Sequence, residues 1–206
     1  MNRREKPKQA VFLLIGELIS SERLPPVTLA LIVINTLIYL ELFHFKLPNL
    51  TKVCISANSI IKDHEWLKLI LSPFFHADDW HLYYNMISFS IKGRTLEKKY
   101  GSKYFLILLA VFTIMNSFLY VGIEILAYHL FNDFSYLKNC AVGFSGVIFA
   151  LKVLTTYHLP NGTVYLLDVI PLPSKYAFWV ELIAISLVTP NASFAGINIL
   201  RTAFLY

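Results

Sequence analysis

Tyr104–Phe131 reads YFLILLAVFTIMNSFLYVGIEILAYHLF, with Glu124 as its single charged residue. A helix crosses a bilayer core with about 20 predominantly apolar residues, so this stretch predicts a membrane span with length to spare. The whole chain agrees. Of its 206 residues 56% are hydrophobic and 15% charged, whereas soluble domains run to about 25% charged. Too little polar surface is left to face water. Disorder, a disulfide-dense secreted scaffold and a collagen-like fibre are excluded by the same composition. Cys54 and Cys140 make at most one bridge and are too few for a zinc framework.

Working outward, Trp80 to Tyr100 predicts an amphiphilic span carrying His81 and Asn85. Asp78 or Asp79 caps its start and Gly101 ends it, with Lys98 and Lys99 at the negative end of its dipole. Before it lies a loop over 45–79, where Pro73 forbids a continuous helix. Pro25-Pro26 opens a first span, Val27 to Phe45. Beyond Phe131, NDFSYLKN leads to a fourth span, Cys140 to His158. A loop around Pro160, Gly162, Pro171 and Pro173 precedes a fifth, Lys175 to Val188. Ser193 to Tyr206 begins a sixth, too short to cross. The expected fold is all-α: a polytopic membrane helix bundle of five full spans plus a shortened sixth, in one domain over 25–206. In residues 1–24, Val11, Leu14, Ile15, Leu18 and Ile19 recur at helical spacing over too short a length to span, which predicts an interfacial helix. Glu17 interrupts that run and no small-residue cleavage site follows, against a signal peptide.

Charge placement sets topology. Arg3, Arg4, Lys6, Lys8 and Arg23 lie in residues 1–25, and Lys92, Arg94, Lys98, Lys99 and Lys103 in the 92–103 connection. Basic flanks mark the cytoplasmic side, so the N-terminus and 92–103 are expected there and the 45–79 loop in the lumen. Topology therefore explains the net charge of +5, and no nucleic-acid partner is expected.

Polar groups inside spans are costly and point to function. Here they are His81, Asn85, Glu124, Ser145, Lys152 and Glu181. His81 and Asn85, four apart, share one helical face. The alternation of spans puts them near the lumenal surface at the depth of Ser145. Taken singly, a His–Asn pair reads as interhelical hydrogen bonding and a serine among Gly143, Gly146 and Ala150 as close packing. Lys152 and Glu181 lie at equal depth and read as a structural charge pair.

Together, Gly143-Phe144-Ser145-Gly146 and HADDWHLYYN, from His76 through His81 to Asn85, resemble the rhomboid family of intramembrane serine proteases. Trp66 stands where the family has its Trp-Arg loop motif, with Lys68 as the basic residue. Gly93, Glu97 and Gly101 match the pattern after its second core helix. The resemblance implies Ser145 as nucleophile and His81 and Asn85 as oxyanion-hole donors, aided by the Ser145 backbone N–H. Gly143, Phe144, Gly146, His76 and Trp66 would border the site, and Gly93, Glu97 and Gly101 would be structural. It implies no cofactor and no metal, transmembrane protein clients and membrane lipid as partners, and a place in the endoplasmic reticulum, where unstable membrane proteins are cleaved.

The family's base is a histidine on the sixth helix. After Ser193-Phe194-Ala195-Gly196 that position holds Ile197, and Leu200 replaces the glycine that should follow. His158 lies thirteen residues past Ser145, about 20 Å along a helix, and Lys152 is about 10 Å deeper than the serine. The expectation is an inactive or impaired chain, a truncated form lacking the family's cytoplasmic ubiquitin- and segregase-binding tail. The alternative function is a pseudoprotease that binds transmembrane clients. A transporter would need paired broken helices or repeated halves, and neither is visible.

Overall fold

The computed structural model describes residues 8–20, 23–42, 48–158, 163–166 and 170–173. The chain divides into two compact units, Met1–Ile148 and Phe149–Tyr206. In the first, α1 (Gln9–Ser20) and α2 (Pro26–Leu40) both pack on α6 (Asp79–Tyr100). Short helices α3 (Leu50–Val53), α4 (Ala57–Ile61) and α5 (Lys68–Leu71) occupy the loop between α2 and α6. Then come α7 (Ser102–Phe131), α8 (Ser135–Lys138) and α9 (Ser145–His158), of which residues 145–148 belong to the first unit and the rest to the second.

The limits of α6 follow from its caps. The Asp78 carboxylate accepts the His81 N–H at 2.8 Å, and Gly101 leaves the helix at φ +79°, a conformation glycine adopts without steric cost. One turn before that end, Glu97 is buried and accepts four hydrogen bonds. They come from the N–H groups of Val27 (2.9 Å) and Thr28 (2.8 Å) and the hydroxyls of Thr28 and Ser102 (both 2.7 Å). Pro25 gives α2 no side-chain cap, so Glu97 caps α2 from another helix and places a negative charge at its positive end. Gly93 makes room for this, because a Cβ there would fall 2.6 Å from the Thr28 hydroxyl. Gly93, Glu97 and Gly101 thus join α2 to α6 and turn the chain into α7.

Among the described residues, α7 is the one helix long and apolar enough to cross a membrane by length and composition. It buries one stripe, Phe105, Leu109, Thr113, Ser117, Val121 and Glu124, while Leu106, Ile107, Val111, Ile114, Met115 and Phe118 on its other faces are exposed. An apolar exterior of that extent suits lipid.

Three expectations change. The apolar stripe of α1 is divided: Val11 and Leu14 are buried with Ala10, Ile15 and Ile19 are exposed, and the Ala10 N–H donates to Asp79 Oδ2 at 3.2 Å. Residue 10 therefore stands at the start of α6, whereas the start of α2 meets Glu97 near its end. The buried part of α1 thus makes a protein contact with α6 that the interfacial reading did not include. Second, the fourth helix begins at Ser145 instead of Cys140: Ala141 pairs with Ile55, and a bend at Gly143 and a turn at Phe144 lead into the helix. Third, the connection after α9 holds an antiparallel ribbon, β1 (Thr163–Leu166) and β2 (Ile170–Pro173), with Thr163 opposite Pro173 and Leu166 opposite Ile170. Its β-branched and aromatic residues favour extended structure, but four-residue strands are too short to announce themselves against an otherwise all-α pattern. The expected fifth and sixth spans, with Glu181 and Ile197, lie outside the described residues.

Candidate active site

His81 and Asn85 sit in the first two turns of α6. The His81 ring lies on Gly143: a Cβ there would stand 2.6 Å from Cε1 and 2.8 Å from Nε2. Two turns further along the same face, Phe89 meets Phe144 edge to face, centroids 5.1 Å apart. Residues i, i+4 and i+8 share a helix face, so Asn85 lies between these two contacts, on the surface that α6 turns toward residues 143–144. Asn85 is buried, and its amide donates to the His81 carbonyl at 2.7 Å, leaving one further N–H on the same nitrogen.

Ser145 is the first residue of α9 and is half-buried. The opening N–H groups of a helix have no intrahelical acceptor, and they carry the positive end of its dipole. The turn before it is fixed by Gly143, whose φ of +114° is costly for any residue with a Cβ, and by Phe144, which is buried against Phe74 and Phe89.

His76 is fully buried. Its Nε2 accepts the Phe144 N–H over a long 3.5 Å, and its ring meets that of His81 edge-on at 5.2 Å. His76 thus contacts the backbone one residue before Ser145.

The structure therefore brings His76, His81, Asn85, Gly143, Phe144 and Ser145 into one region of the first unit. Trp66 lies in the turn that leads into α5. It is 53% exposed and stacks on His64 with centroids 6.3 Å apart. Lys68 pairs with Glu65 at 2.6 Å. Among the described residues no cluster of side chains could hold a metal ion.

Two features escaped the sequence. Asn116 of α7 presses on the Cα of Gly146, so that a Cβ there would overlap its amide. An amide in the middle of an apolar run was a visible signal. The other is the pairing of Cys54 with Cys140, whose Cα atoms are 5.5 Å apart across a sequence separation of 86.

A helix opened by a serine, with a histidine and an asparagine of a second helix set against its entry turn, defines an intramembrane protease-like scaffold. The chain belongs to the rhomboid family: the family's model, the rhomboid domain, matches residues 63–200. Rhomboid-related protein 4 of Rattus norvegicus is 41% identical over 182 residues, covering 86% of this chain and 55% of the relative. Its Homo sapiens counterpart is 40% identical over 173 residues, covering 84% and 53%. Rhomboid-like protein 14, mitochondrial, of Arabidopsis thaliana is 38% identical over 180 residues, covering 84% and 52%. The chain spans about half the length of these relatives.

Proposed function

We propose that this chain is the scaffold of a rhomboid-type intramembrane serine endopeptidase that receives membrane-anchored proteins near the lumenal surface. Ser145 is the nucleophile. His81, the second N–H of Asn85 and the Ser145 backbone N–H stabilise the oxyanion. The observation that carries this reading is the His81 ring seated on Gly143, two residues before a serine that opens its helix. Attack on a carbonyl places negative charge where bulk water cannot reach it, and one fixed donor there is worth about 10²–10³ in turnover.

The same chemistry limits the chain. A hydroxyl needs a base, and a serine protease without its histidine loses about 10⁶ in turnover. His76 is held by Phe144, His81 faces Gly143, and the sequence offers Ile197 where the family has its imidazole. The reading is thus a form that engages transmembrane clients far better than it cleaves them. A fluorophosphonate probe tests it in membranes carrying the 206-residue chain. Absent labelling, together with photocrosslinking of a transmembrane client that weakens in His81→Ala, is the expected result. Labelling that vanishes in Ser145→Ala would show an active enzyme.

The bundle crosses the membrane several times, with Arg23 and the 92–103 connection in the cytoplasm. Its site then opens on the side of Cys54 and Cys140, and a lasting disulfide suits an oxidising lumen such as that of the endoplasmic reticulum. A role in membrane-protein quality control there is the companion proposal. The mitochondrial name of one Arabidopsis relative favours the other location, and co-fractionation with markers of the two membranes decides between them.

A further inference from the structure

The segment leading into Ser145 is held almost residue by residue. The Asn139 carbonyl accepts the Tyr120 hydroxyl at 3.1 Å, and its amide donates to Glu124 Oε2 at 3.0 Å. Cys140 is bonded to Cys54. Ala141 and Ile55 exchange two hydrogen bonds, both 2.9 Å. The Gly143 N–H donates to the Ser72 carbonyl at 3.0 Å, and the Phe144 N–H to His76.

These ties differ in kind. The pairing of Ile55 with Ala141 is an isolated bridge, and a lone two-stranded pairing is marginal by itself. The bond to His76 is long. One tie is covalent, the bridge one residue before that pairing and five before Ser145. Beneath it, Ile55, Ala57, Ile60, Leu69 and Val121 form a small apolar core on which Ala141 packs, so the far end of the clamp is itself anchored.

We propose that the Cys54–Cys140 disulfide is the positioning element of the nucleophile segment, holding Gly143 on His81, and that a dithiol reductant loosens the site while the bundle persists. The inference rests on Ser145 as the nucleophile. Cys54 is 8% exposed, whereas Cys140 is exposed, so attack falls on Cys140. A reductant thiolate bonds to Cys140 Sγ as the S–S bond breaks, and Cys54 leaves as a thiolate and takes up a proton. The reductant's second sulfur then closes its own disulfide and releases Cys140, which is protonated in turn. Two electrons and two protons pass from the dithiol to the cystine. The joints between α2, α6 and α7 at Glu97 and Gly93 involve neither cysteine, so the bundle keeps its main contacts.

The test needs no turnover. Hydrogen–deuterium exchange is followed on the full chain in micelles, oxidised and after treatment with dithiothreitol, alongside the Cys54→Ser/Cys140→Ser double variant. Reduction is expected to speed exchange at Ala141, Gly143 and Phe144 at least tenfold, with α6 and α7 amides changed less than twofold. In imidazole-labelled chain the His81 resonance, assigned with His81→Gln, should shift on reduction while that of His129 stays. Should the double variant fail to fold, reduction of the folded chain still gives the comparison. Unchanged exchange, acceleration across the whole bundle, or two alkylatable thiols in the unreduced chain would each overturn the proposal. Failure of Ser145 as nucleophile shows separately, because no part of this readout depends on hydrolysis.

Discussion

The imidazole of His81 occupies the space that a side chain at Gly143 would need, and it does so where the Gly143 backbone, at φ +114°, admits side chains poorly. One small residue therefore fixes both the turn into α9 and the approach of the histidine. Gly143→Ala is expected to destabilise the chain by about 1–3 kcal/mol, from left-handed backbone strain and displacement of the ring. Unfolding in mixed micelles measures it. Gly16→Ala is the control: nothing lies within 4 Å of a Cβ there, and alanine in a helix gains about 0.5–1 kcal/mol over glycine.

Glu97 is expected to be the most sensitive polar residue outside the site. Glu97→Ala strands the N–H groups of Val27 and Thr28, two buried or half-buried donors at the start of α2, for a loss of about 2–4 kcal/mol. Glu97→Gln keeps one carbonyl oxygen for Thr28 but turns an NH₂ toward Val27 or Ser102, so it should fall between the two. The three unfolding midpoints check the order, and equal values for Gln and Glu would show that charge at this helix end contributes nothing.

Asn116 and Gly146 should be coupled. Gly146→Ala forces the Asn116 amide aside and is expected to cost about 1–3 kcal/mol, as overpacking does. Asn116→Ala opens the space the new methyl needs, so the double variant should recover part of the loss. A double-mutant cycle reads the coupling directly, expected at about 0.5–2 kcal/mol for groups in contact. Additive losses would mean that the two helices adjust independently.

Much of this was legible where one residue type has a local job. Asp78 is a helix start signal and Gly101 a stop signal, and they bounded α6 at its two ends. His81 and Asn85, one turn apart, fell on the predicted shared face, and Ser145 came to the same region. What stayed hidden depended on partners distant in sequence. The stripe of α1 is equally compatible with a leaflet and with α6, and only tertiary contact puts Val11 and Leu14 into protein while Ile15 and Ile19 stay exposed. Residues 140–144 carry an apolar pattern that would suit a helix, but the bridge to Cys54, the pairing with Ile55 and the bond to Ser72 keep them out of one. Glu97 was legible as structural from its place between Gly93 and Gly101, whereas its partners, Val27 and Thr28, lie 70 and 69 residues away and gave no local sign.

Glu124 looked functional as a lone acid in an apolar helix, and the structure gives it a positioning task instead. It is buried on α7, and the Asn139 amide donates to it, which fixes the residue before Cys140. Glu124→Gln retains an oxygen to accept that bond and is expected to be nearly neutral. Glu124→Leu leaves the Asn139 amide without its acceptor and should cost about 1–3 kcal/mol, the penalty for an unsatisfied buried donor. Replacing both, Glu124→Leu with Asn139→Leu, removes donor and acceptor together and is expected to restore most of the stability, because no polar group is left stranded. A double variant no more stable than Glu124→Leu alone would mean that the carboxylate serves something other than Asn139, and its role would have to be sought at Tyr120, the other polar group on that face.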